Sequence, residues 1–211
     1  MENTMYFDGK HTLSWYGLSL TRCTITPPRR KQRWLDIPGM DGSVELMAPA
    51  GLVSYENRTL RAEFRKTSGA AGDILDRLIS DIEGRQISIV LPCGDRYMVG
   101  VAHVVAASVP GTDVVITANC QPWRYSCAQV RRKFAASPEP VELNLRNAGA
   151  APVLPTLTAG EGGAVATVDG TEVQIAAGTS VLPELLIPGR GNLTFLLSGA
   201  DVTISYREAI L

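Results

Sequence analysis

The chain has 211 residues, 45% of them hydrophobic, with 19% charged residues, a mean hydropathy of +0.06 and a formal net charge of −1. That composition is soluble and globular, is long enough for one large domain or two small ones, and leaves no stretch that reads as a disordered tail. No apolar run approaches the roughly 18 residues of a membrane span, and Met1-Glu2-Asn3-Thr4 lacks the basic-then-apolar layout of a signal peptide, so the chain is expected to be made and used without export and without a membrane.

From the start, Met5 to Leu20 reads as a hairpin-like opening, with Asp8-Gly9 as a turn between short apolar stretches. Arg29 to Arg58 follows as a long arm: basic Arg29-Arg30-Lys31-Gln32-Arg33, then Trp34-Leu35-Asp36-Ile37, then the turn dipeptides Pro38-Gly39 and Asp41-Gly42. Connections of this length inside a compact domain are functional or disordered. Trp34, Leu35, Ile37, Val44, Leu46 and Met47 carry too much apolar surface for disorder, and a partner surface is a candidate for covering them.

Arg58 to Lys66 alternates cleanly, Leu60, Ala62 and Phe64 against Arg61, Glu63 and Arg65, which predicts a strand with one wet face. Asp73 to Glu83 is the one segment with sustained helical period, since Ile74, Leu75, Leu78, Ile79 and Ile82 make a single stripe, with Asp73 to cap its start and Gly84 its end. Period two returns at Gln86 to Leu91, Arg96 to Val109 and Asp113 to Cys120, with turns at Cys93-Gly94-Asp95 and Pro110-Gly111-Thr112. Arg131-Arg132-Lys133 with Ser137-Pro138-Glu139-Pro140 reads as a linker, which places a domain boundary near residue 138 and divides the chain into domains 1–137 and 138–211.

Beyond that boundary every signal is β. Strands are expected at 141–145, 153–159, 164–168, 171–175, 180–187, 192–197 and 201–206, at the spacing of a sandwich, with Asp169-Gly170 as the strongest hairpin turn. Charge divides along the same line: residues 1–135 hold 17 Lys and Arg against 13 Asp and Glu, and residues 136–211 hold 3 against 8. The asymmetry favours two domains and permits head-to-tail attraction between copies.

Catalytic and ligand chemistry finds little to work with. Only His11 and His103 are present, Cys23, Cys93, Cys120 and Cys127 form no C-x-x-C pair, and no phosphate-loop, zincin or dinucleotide motif occurs, so no enzyme activity, cofactor or metal site is expected. His103, in a Val-Ala-His-Val-Val run, reads as a sheet histidine, the cysteines as reduced small hydrophobes, and Asp73, Asp76, Asp81 and Glu83 as the solvated side of the helix. Four positive charges in residues 29–33 suit phosphates. The run has no interleaved aromatics and the second half is acidic, so contact with acidic protein surface or solvent is the better reading and no nucleic acid is expected.

In order, Phe7-Asp8-Gly9, Gly17-Leu18, Ile37-Pro38-Gly39-Met40-Asp41-Gly42 and Tyr55-Glu56-Asn57-Arg58, then Asn147-Ala148-Gly149, Pro155, Val168-Asp169-Gly170, the run Ile187 to Phe195, Gly199 and Val202 to Tyr206, resemble the distal tail protein (Dit) family of long-tailed siphophages and prophages. The resemblance spans nearly the whole chain. It implies a mainly β, two-domain fold: an N-terminal β-sandwich with one helix and an extended arm, and a C-terminal galectin-like β-sandwich. It also implies a homo-oligomeric six-fold ring in the baseplate hub of the virion tail tip, joining the tail tube protein to a tail-fibre, tail-associated or receptor-binding protein, assembled in the bacterial host cytoplasm. The chain lacks room for the inserted carbohydrate-binding module of longer members, and direct carbohydrate binding is not expected.

The alternative is a carbohydrate-binding β-sandwich module, which needs an aromatic face for a sugar ring. Trp15, Trp34 and Trp123 all precede the expected boundary, and beyond residue 135 Phe195 and Tyr206 sit in strand-like runs that core burial explains. On the ring reading, the expected interface comprises Arg29, Arg30, Arg33, Trp34, Leu35 and Ile37, with the apolar three as anchors and the arginines as a charged rim.

Overall fold

The computed structural model describes residues 4–32, 34–46, 54–67, 71–107 and 113–211, and divides the chain into two compact units, Met1–Pro122 and Trp123–Leu211. Both units are mainly β.

In the first unit, β1 (Tyr6–Phe7) and β2 (Lys10–His11) form the expected opening hairpin. The chain then makes a short helix that alternation did not predict, α1 (Thr12–Tyr16), capped by the His11 imidazole accepting from the Ser14 amide and closed by left-handed Gly17. β3 (Leu18–Ile25), the arm strands β4 (Trp34–Asp36) and β5 (Ser43–Glu45), and β6 (Arg58–Lys66) follow. The principal helix α2 runs Ala71–Ile82, two residues ahead of the expected start, so Asp73 lies in its first turn rather than at its cap. β7 (Gln86–Val90), β8 (Arg96–Ala107) and β9 (Asp113–Cys120) complete the unit. The expected turn at 110–112 lies outside the described residues.

The strands pair in the order β2-β1-β7-β8-β9-β6-β3, all antiparallel. Phe7 on β1 meets Phe64 on β6 edge to face, with centroids 6.0 Å apart, although β7, β8 and β9 lie between their strands in that order; the sheet therefore doubles back to enclose its core. Leu60, Ala62, Phe64, Ile87, Ile89, Met98, Ile116 and Ala118 point inward at every second position, and Leu78 and Ile82 of α2 join the same core. Arg58 continues the inward parity of β6 and is buried opposite Cys120.

The second unit contains β10 (Arg124–Ser126), β11 (Val130–Phe134), β12 (Ser137–Asn147), β13 (Thr156–Ala159), β14 (Ala164–Val168), β15 (Thr171–Ile175), β16 (Gly178–Val181), β17 (Gly191–Gly199), β18 (Val202–Tyr206) and β19 (Ala209–Ile210). Two four-stranded sheets, β11-β18-β13-β16 and β12-β17-β14-β15, close over Leu143, Leu145, Leu157, Ala166, Ile187, Phe195, Leu197 and Ile204. Asp169-Gly170 makes the two-residue turn between β14 and β15, both residues at positive φ as a type I′ hairpin requires.

The segment read as a linker is strand. Arg131-Arg132-Lys133 belong to β11, and Pro138 and Pro140 to the start of β12, so the compact units part at Pro122–Trp123 rather than near 138. β11 and β12 are edge strands, and an edge strand shows charged side chains and tolerates proline where no ladder bond is needed. Between Ser137 and Val141 the β12–β17 register also shifts, leaving the prolines in a bulge. Edge strand and polar linker thus share one composition.

Candidate assembly interface

The arm is a ribbon built outward from the β3–β6 pair. The Thr26 amide donates to the Thr59 carbonyl (3.0 Å), the Glu56 amide to Arg29 (2.8 Å) and the Lys31 amide to Ser54 (2.9 Å), with Arg30 bridging Tyr55. Further out, β4 and β5 pair as Trp34 with Glu45, Leu35 with Val44 and Asp36 with Ser43. At the tip the Met40 amide donates to the Ile37 carbonyl (3.1 Å) across Pro38-Gly39. Proline presets the first corner of this type II turn, and Gly39, at φ 84°, takes the second, where a side chain would be strained.

Antiparallel partners share a face and successive residues alternate. Leu35 and Val44 therefore lie on one face of the ribbon, and the same parity extends it to Ile37 and Leu46. Trp34 lies on the other face with Asp36 and Ser43, where the Ser43 hydroxyl donates to Asp36 Oδ1 at 2.6 Å. The three expected anchors are thus not brought together: the structure joins Leu35 with Ile37, adds Val44 and Leu46, and sets Trp34 opposite. Trp34 is 57% exposed, Leu35 47% and Val44 37%, and none of these residues belongs to the first unit's core. Arg29, Arg30 and Lys31 stand exposed at the root; Arg33 lies outside the described residues, as does Met47. The sequence showed which residues of the arm are apolar, but only the pairing register fixes which residues of the two strands share a side.

Beside the helix, Asp81 gathers two partners. Lys10 Nζ lies 2.7 Å from one oxygen and the Tyr16 hydroxyl donates to the other at 2.7 Å. The bonds from Lys10 and then Tyr16 hold the Asp81 carboxyl below its usual range, while burial first, and then Asp81 itself, push the Tyr16 phenol up. Lys10 also sits 5.5 Å over the Trp15 ring. Glu83, held low by its bonds from His103 (2.8 Å) and the Val104 amide (2.8 Å), ties the end of the helix to β8. These groups join elements of the fold, and among the described residues no group of three or more His, Cys, Asp or Glu side chains is placed to hold a metal ion.

In the second unit the open side of the sandwich between β11 and β12 has two shallow clefts. One, of about 330 Å³, is lined by Phe134, Val141, Leu143 and Leu197; the other, of about 420 Å³, by Arg132, Asn144, Arg146, Tyr206 and Glu208. Tyr206 is the sole aromatic residue in the second cleft, and its hydroxyl is committed to the Arg146 carbonyl at 2.5 Å. The glycine-rich motifs of this half close a joint. Buried Asn147 donates to the carbonyls of Ala151 (2.7 Å) and Pro188 (3.2 Å) and accepts from the Gly149 amide (2.9 Å). At Gly189 a Cβ would fall 2.2 Å from the Ala150 carbonyl oxygen, so only glycine lets the two loops meet.

The architecture has a counterpart among solved structures. SPP1 Dit (gp 19.1), described as a paradigm of hub adsorption apparatus in Gram-positive infecting phages, superposes with a TM-score of 0.62 at 16% identity, over 99% of this chain and 99% of its own. The chain has the Dit fold. No protein-family model and no curated relative matches the sequence. The Dit likeness embraces both units together, which a chance match of one sandwich to another would not do.

Proposed function

We propose that this Dit-fold chain is a structural hub protein of a phage tail tip, a virion component without enzymatic activity. The observation that carries the reading is the end-to-end structural likeness to SPP1 Dit. In this reading copies close into a six-fold ring that joins the last ring of tail tube to the fibre or receptor-binding apparatus, and the ring forms in the host cytoplasm before it enters the virion. The second sandwich is galectin-like in shape and serves as a docking body rather than as a sugar site.

The arm is the inter-subunit element, with Arg29, Arg30, Arg33, Trp34, Leu35 and Ile37 as contact residues. An isolated two-stranded hairpin is marginal in water. Six large apolar side chains, Trp34, Leu35, Ile37, Met40, Val44 and Leu46, are exposed on this one. Covering both faces of such a ribbon stabilises it, and a neighbouring subunit supplies the cover.

The test is the mass and symmetry of the purified full-length chain by light scattering and negative-stain imaging. A ring with a central hole is expected. A monomer at every concentration, and still a monomer when mixed with its tail tube protein, would overturn the reading.

A further inference from the structure

We propose that the Leu35–Val44 face of the arm docks on the flank between α2 and β8 of a second copy of this chain. The inference rests on the ring reading above and names the surface that receives the arm.

The receiving flank is marked by the contacts of Glu83. Its carboxylate bonds His103 Nδ1 and the Val104 amide, and the Gly84 amide donates to the Ala102 carbonyl, so the end of the helix lies along β8 in opposite sense. Ile79, one turn before Glu83 on the same side of the helix, is 40% exposed. On β8 the register skips Val105 between the pairs Val104–Ile116 and Ala106–Val115, and this bulged valine is 57% exposed. The flank therefore offers two aliphatic side chains with Asp76 and Glu83 beside them, also exposed.

The arm offers the complement. Leu35, Ile37, Val44 and Leu46 make an aliphatic strip, and Arg29, Arg30 and Lys31 lie at its root. The basic root of the strip is opposite in sign to Asp76 and Glu83 beside the aliphatic pair, so the two surfaces complement each other in charge as well as in apolar character. Trp34, on the opposite face of the ribbon, takes no part in this contact.

The test uses the full-length chain in a Cys93→Ser background, since Cys93 is exposed. Leu35→Cys with Val105→Cys, treated with a short bismaleimide crosslinker, is expected to give a ladder of linked chains. Trp34→Cys with Val105→Cys is expected to give at least ten-fold less. Arg30→Glu should raise the concentration needed for assembly several-fold, and Asp76→Lys should restore it. A sample that sediments as an oligomer yet gives no Leu35–Val105 ladder, or equal linking from position 34, overturns this docking and leaves the ring standing. A wild-type chain that stays monomeric overturns both.

Discussion

Asn147→Ala removes the joint that holds the second sandwich closed at one end. The side chain is buried and makes three hydrogen bonds, two as donor to the Ala151 and Pro188 carbonyls and one as acceptor from the Gly149 amide. At a net contribution of about 1 kcal/mol each, their loss costs about 3 kcal/mol, and the stranded Gly149 amide can raise that to about 5. For a domain the size of the second unit, each kcal/mol moves the midpoint by about 4–8 °C, so its melting transition should fall by at least about 12 °C. Scanning calorimetry of the full chain reads the shift, and hydrogen exchange over 143–147 and 191–199 assigns it to this unit. Asn147→Asp separates bonding from shape. Its carboxylate would face two carbonyls while buried, which raises its folded pKa above the unfolded value of about 3.9. The variant should therefore be most unstable near neutrality and recover relative to wild type as pH falls through that raised folded pKa, with the recovery complete once pH is below about 4. A drop of under about 2 °C for Asn147→Ala would refute the reasoning, showing that the loops meet without the amide.

Trp34→Ala should leave the melting temperature of the full chain unchanged, because Trp34 lies outside the first unit's core; a collapsed melt would put it in the fold. Asp81→Asn should destabilise the first unit at neutral pH, and because the Asp81 pKa is lowered from its model-peptide value of 3.8, the difference from wild type should shrink as pH falls through and below that value, as urea titrations across pH 2–7 would show. Thiol labelling at pH 8 should modify exposed Cys93 readily while Cys120, buried and pushed up to about 11, stays unmodified until denaturant is added; early Cys120 modification in intact protein would contradict its burial. A fragment ending at Pro122 should resist protease, whereas one ending at Ser137 should be trimmed across 130–137, because β11 then lacks its partner β18.

Much of the fold was legible from neighbouring residues alone. Alternation gave β6 its bounds, Arg58–Lys66, and gave most strands of the second sandwich; the five-residue apolar stripe gave α2 to within two residues; and Asp169-Gly170 gave its hairpin. Each of these is set by intervals of two to four residues along the chain, which is where strand, helix and turn geometry act. The glycine motifs also pointed to the Dit family, and the structure gives a reason in the Asn147–Gly189 joint, whose spacing is dictated by backbone contact.

What the tertiary structure decided are properties of residues distant in sequence. Arg131 to Pro140 have the composition of a linker, and only the partners β18 and β17 make them strands, because a sheet edge and a solvated linker expose the same kinds of side chain. α1 is too short for a period and exists through its caps at His11 and Gly17. In the arm, the sequence listed apolar residues without saying which turn the same way. The register of β4 on β5 sets Leu35 with Val44 and leaves Trp34 behind them, since a shift of one residue in pairing would exchange the faces of an entire strand.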